Sequence, residues 1–342
     1  MHSKQQRGFT LLELMISLTI GVVIIGGTVS MMRNSSKALT RHEGNADAVS
    51  AIRLASDMLR NDIQSAGYFG RTRNPSDIDG RTNSANNLTT ITGDCSDLFY
   101  TDISRFVYAS NNENPFSGTD GCIPDSLGYI AGTDVLVVRY AKDVGLSADG
   151  TGLVSDKVYV YSNPIGGELV RLNSMPSLQQ FPTAGAFRDE IGKSFYELQT
   201  FVYFVGDNGS DGAGLYRLYL EPEGTNAFKS ELVSTDITDL QVRFGVEDCD
   251  TSAIAGSTIC DGGIDEYRDG WTISTSAGTP AYGDIAKIRT VAVGLTSISS
   301  SIQGADQMAQ ITHKMRGEDY TAPAAATFQA TTFHVRNSES IF

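Results

Sequence analysis

The chain has 342 residues and a formal net charge of −14 at neutral pH. That length allows one or two domains, and so acidic a chain repels phosphate backbones, which excludes general nucleic-acid binding by an exposed domain. The 35 glycines predict abundant turns, and the four cysteines fit an oxidising compartment.

The first element is an apolar run with no charged side chain from Leu14 to Met32. A bilayer core of about 30 Å takes roughly 20 helical residues. The polar stripe of a soluble core helix is missing. Lys4 and Arg7 precede the run, and basic flanks stay cytoplasmic, so the remainder is expected outside the cytoplasm. A discarded secretory signal would need a small-x-small cut directly after the run. Only Ser36-Lys37-Ala38 offers one, beyond the charged Arg33. A lipoprotein signal needs a cysteine at the cut, and the first is Cys95. A plain anchor leaves Glu13 without a reason. A carboxylate inside a span is costly and calls for a cation or hydrogen-bond donor. Removal of the leader would create such a cation, an α-amine that is mostly protonated at neutral pH.

The residues around Glu13, Arg7-Gly8-Phe9-Thr10-Leu11-Leu12-Glu13-Leu14, resemble the type III signal of type IV prepilins and type II secretion pseudopilins. The resemblance implies that a prepilin peptidase cuts between Gly8 and Phe9 and that Phe9 is N-methylated. It also implies that Glu13 pairs with the terminal amine of a neighbouring subunit during assembly.

The helical pattern continues beyond Arg33. Val49, Ile52, Leu59 and Ile63 recur at three- and four-residue spacing, beside Ala48, Ala51, Ala55 and Met58. Arg41, Asp47, Arg53, Asp57 and Arg60 occupy the other face, and Gly67 is a plausible stop. One helix from Phe9 to Ala66 would be roughly 87 Å long. Gly21, Gly26, Gly27 and Gly44 are soft points, read equally as close helix packing or as sites of local melting. At the end of the helix, Leu59–Gly70 (LRNDIQSAGYFG) resembles PilW-type minor pilins. Many of those relatives carry a cysteine where this chain has Arg71.

From Arg71 to Gly132 the composition predicts a long loop with short elements. Strands are expected at Thr133–Ala141, Lys157–Ser162, Gln199–Gly206, Gly214–Glu221, Asp239–Glu247, Ile285–Ser297 and Ala326–Asn337. Asp207–Gly212 (DNGSDG) is a hairpin turn. It fails as a calcium loop, because Gly209 and Leu218 stand where ligands are needed. The four cysteines allow three pairings. The nearest-neighbour set, Cys95–Cys122 and Cys249–Cys260, is favoured.

Catalytic motifs are missing: no nucleophile elbow, zinc-protease helix or phosphate loop occurs. No enzyme activity and no cofactor are expected. The acidic stretch Glu247–Asp269 offers Asp250, Asp261 and Asp265 as weak calcium ligands, with a solvated loop the commoner outcome for such a stretch.

The expected fold class is α+β. The resemblance implies the pilin fold, a long N-terminal helix packed on an antiparallel β-sheet head. The expected organisation is a leader at 1–8, a spanning segment at 9–33, an amphipathic upper helix at 34–66 and a periplasmic or extracellular head at 67–342. The implied function is that of a PilW-type minor type IV pilin, starting filament assembly at or near the tip. Its implied partners are other minor and major pilins, the prepilin peptidase, the inner-membrane assembly platform and a tip adhesin. Two alternatives remain: a J-type minor pseudopilin of type II secretion, and a tethered binding module that never polymerises.

Overall fold

The structure, a computed structural model, describes residues 10–72, 75–79, 99–116, 122–145, 152–154, 157–171, 194–209, 212–220, 228–247, 250–254, 257–259, 263–270, 285, 287–298, 310–323 and 326–335. It opens with α1 (Leu11–Ser65), a helix of 55 residues and therefore about 82 Å. Thr10 caps its start, and its C-terminal cap is Ala66. Gly67 follows at φ +77°, a conformation that glycine adopts without a Cβ penalty. The chain leaves the helix there, at the expected stop.

The two halves of α1 have different surroundings. From Leu11 to Glu43 every residue is exposed except the partly covered Gly21. From Gly44 onward a stripe of Gly44, Ala48, Ile52, Ala55, Leu59 and Ile63 is buried. Its steps of three and four keep one face inward. The small side chains at its lower end let the backbone come close to the head. Val49, Ala51 and Met58 flank the stripe and are half-buried.

The head contains two principal sheets. The first is built from β1 (Ile78–Asp79), β2 (Val107–Ala109), β3 (Leu136–Asp143), β4 (Val158–Ser162), β5 (Gly167–Arg171), β6 (Ser194–Asp207), β7 (Ala213–Leu220) and β8 (Phe228–Thr235). Its order is β1-β5-β4-β6-β3-β2, with β7 on β6 and β8 on β7. All its pairs are antiparallel except β1–β5. β6 has 14 residues. Its first part pairs with β4 and its last part with β7, so one strand serves two neighbours in turn.

After β8 the chain turns at Asp236, at φ +61°, into β9 (Ile237–Val246). A small hairpin follows, β10 (Asp250–Ile254) and β11 (Ser257–Ile259). Then come β12 (Glu266–Asp269), β13 (Ile288–Ser297), the hairpin of β14 (Gln310–Met315) and β15 (Glu318–Pro323), and β16 (Thr327–His334). β12, β9, β13 and β16 form the second sheet in that order, antiparallel throughout. The upper part of α1 touches β3 and β8 of the first sheet and β9, β13 and β16 of the second. One helix therefore closes both sheets over a shared core of Ile52, Leu59, Ile63, Tyr203, Leu240 and Val291.

The expectation of a single sheet under the helix is thus refined to two. All ten residues of β13 are buried. The strand is covered on both faces, which explains why its sequence runs apolar and small without alternating. The first sheet is also covered twice. Val202, Phe204 and Val137 face away from the helix and pack with Phe99, Phe116, Cys122 and Ile123. The stretch expected to be a long loop therefore supplies a covering layer to the far side of that sheet. β5, β8, β14 and β15 carry no clean apolar alternation and were not expected. β8 exposes Lys229, Ser230 and Leu232.

Gly70 sits at φ +81°, and a Cβ there would lie 2.5 Å from Ser162 Oγ and from the Tyr196 ring. Gly70→Ala combines a disfavoured backbone with a clash. It is expected to lower stability by roughly 1–3 kcal/mol, read from the urea midpoint of the full chain in neutral detergent.

Candidate functional site

The N-terminal end of α1 is built by local rules. Thr10 has extended backbone angles, and its Oγ1 accepts a hydrogen bond from the Glu13 N–H at 3.3 Å. Thr10-x-x-Glu13 is the capping-box spacing, with the acid at the third helical position. Free N–H groups and the positive end of the helix dipole gather there, which favours a negative charge. Glu13 therefore helps to start the helix. Above it, hydroxyls fold back onto their own helix. Ser17 donates to Glu13 O, Thr19 to Ile16 O and Thr28 to Ile25 O, at 2.8–2.9 Å. A hydroxyl satisfied in this way is tolerated in lipid. Leu11, Val22, Val23, Met31 and Met32 are all more than two-thirds exposed. The helix is long and apolar enough to cross a membrane, with a window of mean hydropathy 2.1.

Residues 3–29 match the family model of the prokaryotic N-terminal methylation motif. The chain therefore carries a type IV prepilin-like signal at its N-terminus. The methylation motif and the apolar helix together support anchoring by a single span in the inner membrane and a type IV pilin or pseudopilin character. The motif is that of structural subunits rather than of enzymes. No curated protein and no solved structure matches this chain.

Gly8 and Phe9, where the cut is expected, lie outside the described residues. So do Cys95, Cys249, Cys260 and Asp261. Cys122 is disulfide-bonded, with its partner outside the described residues. Asp250 begins β10, and its side chain also lies outside them. Asp265 is exposed, and its N–H donates to Val246 O. Among the described residues no group of three or more His, Cys, Asp or Glu is placed to hold a metal ion.

Three polar arrangements in the head were not anticipated. The first joins the helix to the sheet. Asp62 is buried on α1 and accepts from Tyr140 Oη at 2.9 Å, from Tyr203 Oη, and from Arg217 at 3.4 Å. Arg217 in turn pairs with Glu231 and lies 4.3 Å from the Phe201 ring centre. Burial raises the Asp62 pKa, against the lowering effect of the two tyrosines and Arg217. An acid lying on an apolar helical stripe was the available signal.

The second arrangement joins the two sheets. Asp134 is buried ahead of β3, and its oxygens accept from Asn112 N at 2.8 Å and Val242 N at 2.6 Å. Desolvation lifts its pKa to about 7, with further upward pushes from Asp239 and Asp269. Asp239, also desolvated, rises to about 6. Asp239 borders a polar cavity of about 360 Å³ that Asn112, Gln241, Asp269, Glu318 and Tyr320 help to line. Arg243 pairs there with Asp269 at 2.6 Å. The third is a buried ion pair, Glu247 with Arg289, at 2.5–2.6 Å.

Proposed function

We propose that this chain is a minor subunit of a type IV pilus, trimmed between Gly8 and Phe9 and methylated at Phe9. It helps to start the filament and stays at or near its tip, with its head outside the inner membrane. The observation that carries this reading is the methylation motif at residues 3–29 leading into an otherwise unpartnered apolar helix. Glu13 accepts the terminal ammonium of a neighbouring copy or pilin, which removes two charge penalties in an apolar layer. The broad, two-sheet head supports an end position, since a bulky head is easier to place at a tip than in a repeating lattice. Other pilins, the prepilin peptidase and the assembly platform are its partners, and no ligand is assigned to the head.

The same motif serves type II secretion pseudopilins. Loss of surface pili and twitching on deletion supports the pilus, whereas loss of protein export points to secretion. Glu13→Ala is the direct test. It should leave membrane insertion and leader removal intact while lowering the subunit's content in sheared filaments at least about tenfold, as expected when one partner of a buried pair is lost. Normal content in those filaments would refute the pairing. A chain that still begins at Met1 in filaments would refute the processing.

A further inference from the structure

Between the apolar helix and the head, three cations stand on one face of the helix, with the acid Glu43 following them on another face. Arg33, Lys37 and Arg41 are the only charged side chains from Leu14 to His42. They stand at i, i+4 and i+8, within about 80° of helix surface and about 12 Å of its axis. All three are exposed, and the helix meets the head only from Gly44. A row of exposed cations raises the local potential and favours an anionic surface.

The position of the stripe says which anion. Leu14–Met32 is 19 residues, counted from the sequence, and spans about 28 Å as helix, close to one hydrocarbon core. With that segment in the core, Arg33 lies at its edge, Lys37 about 6 Å above it and Arg41 about 12 Å above it. The headgroup layer is roughly 5–8 Å deep. Long basic side chains reach down into that layer while their stems stay along the helix.

We propose that Arg33, Lys37 and Arg41 form a docking stripe for anionic phospholipid headgroups on the head side of the membrane. The inference rests on the single-span reading of α1. It adds a function for a segment that neither the motif nor the head explains. A chain of net charge −14 is pushed from an anionic surface, while this stripe is drawn to it. The opposed forces hold the helix upright at a fixed depth. Once Lys4 and Arg7 leave with the leader, the stripe is the only Lys/Arg flank beside the span. A subunit leaving the bilayer for a filament must then release these headgroups.

The test uses the full chain in neutral-detergent micelles, titrated with short-chain phosphatidylglycerol or phosphatidylcholine, with adducts followed by native mass spectrometry. Phosphatidylglycerol should bind at least roughly tenfold more tightly. Each of Arg33→Gln, Lys37→Gln and Arg41→Gln should cost about fivefold, and the triple variant about a hundredfold. The preference should shrink as salt rises. Equal binding of the two lipids overturns the proposal, as does a triple variant that keeps the preference. Cross-linking of the stripe to the head of a second copy, with no lipid preference, overturns it in favour of a protein partner. Resistance to alkaline carbonate extraction separates the two levels. A wild-type chain that resists extraction without lipid preference sinks the stripe alone, and one that is extracted sinks the span as well.

Discussion

Replacing Arg289 with alanine is expected to cost roughly 3–5 kcal/mol of folding stability, the usual penalty for removing one partner of a buried ion pair. Glu247 is 1% exposed and Arg289 is 8% exposed. The guanidinium Nε and Nη2 both donate to Glu247 Oε2, at 2.6 and 2.5 Å. The pair lies where β9 ends and β13 begins, and the backbone is tied there as well. Glu247 N donates to Lys287 O at 3.0 Å, and Val335 N to Arg289 O at 3.0 Å. Alanine removes the cation that faces a carboxylate out of reach of water. The double variant Glu247→Leu/Arg289→Met should recover most of the loss, because no charge then remains to be desolvated. Urea unfolding of the three chains in neutral detergent gives both numbers. A loss below about 1 kcal/mol in Arg289→Ala would mean that the pair does not secure the join between these strands.

The second large effect is a dependence on pH. Asp134 has a folded-state pKa of about 7 against an ordinary value of 3.8. Between those values the folded chain holds a proton that the unfolded chain has lost. Stability from this group is therefore complete below about pH 4 and declines as pH rises through about 7. At 1.36 kcal/mol per unit the window corresponds to about 4 kcal/mol. Asp239 acts in the same direction up to about pH 6. The groups around Asp134 make the sign robust. Asp239 and Asp269 raise its pKa, while the N–H groups of Asn112 and Val242 only partly offset the desolvation. Urea midpoints from pH 4.5 to 7.5 should fall with pH in the wild type. Asp134→Asn should flatten that slope, starting from a lower value, because an amide cannot accept from both N–H groups. A wild-type slope that is level or rising, or that is unchanged in the variant, would show that this acid does not govern the junction between the sheets.

Several parts of this molecule are written in short stretches of chain. The apolar run, its length, the cap at Thr10 and the acid at Glu13 are local or periodic features, and a helix responds to neighbours three and four residues away. The inward stripe through Ala48, Ile52, Ala55, Leu59 and Ile63 was legible for the same reason. So were the stop at Gly67 and the strands β3, β4, β6, β7, β9, β13 and β16, whereas the other strands of the head were not. The edges of the expected strands moved by a few residues, as with β6, which begins at Ser194 rather than Gln199 because it also pairs with β4.

Other parts depend on partners far away in the chain. Asp62 stands 78 positions from Tyr140, 141 from Tyr203 and 155 from Arg217. Asp134 is 108 positions from Val242, and Glu247 is 42 from Arg289. Nothing adjacent to these residues announces such contacts. A charged side chain reads as surface until its partners are placed around it. The division of the head into two sheets, and the covering of the first by Phe99, Phe116, Cys122 and Ile123, have the same origin. Local sequence therefore determined the helix, its membrane-length segment and the acid at its start, because those depend on hydrogen bonds and periodicity within a few turns. Tertiary packing alone decided which acids are buried, what neutralises them and which sheet each strand joins, because burial is a property of everything that surrounds a residue.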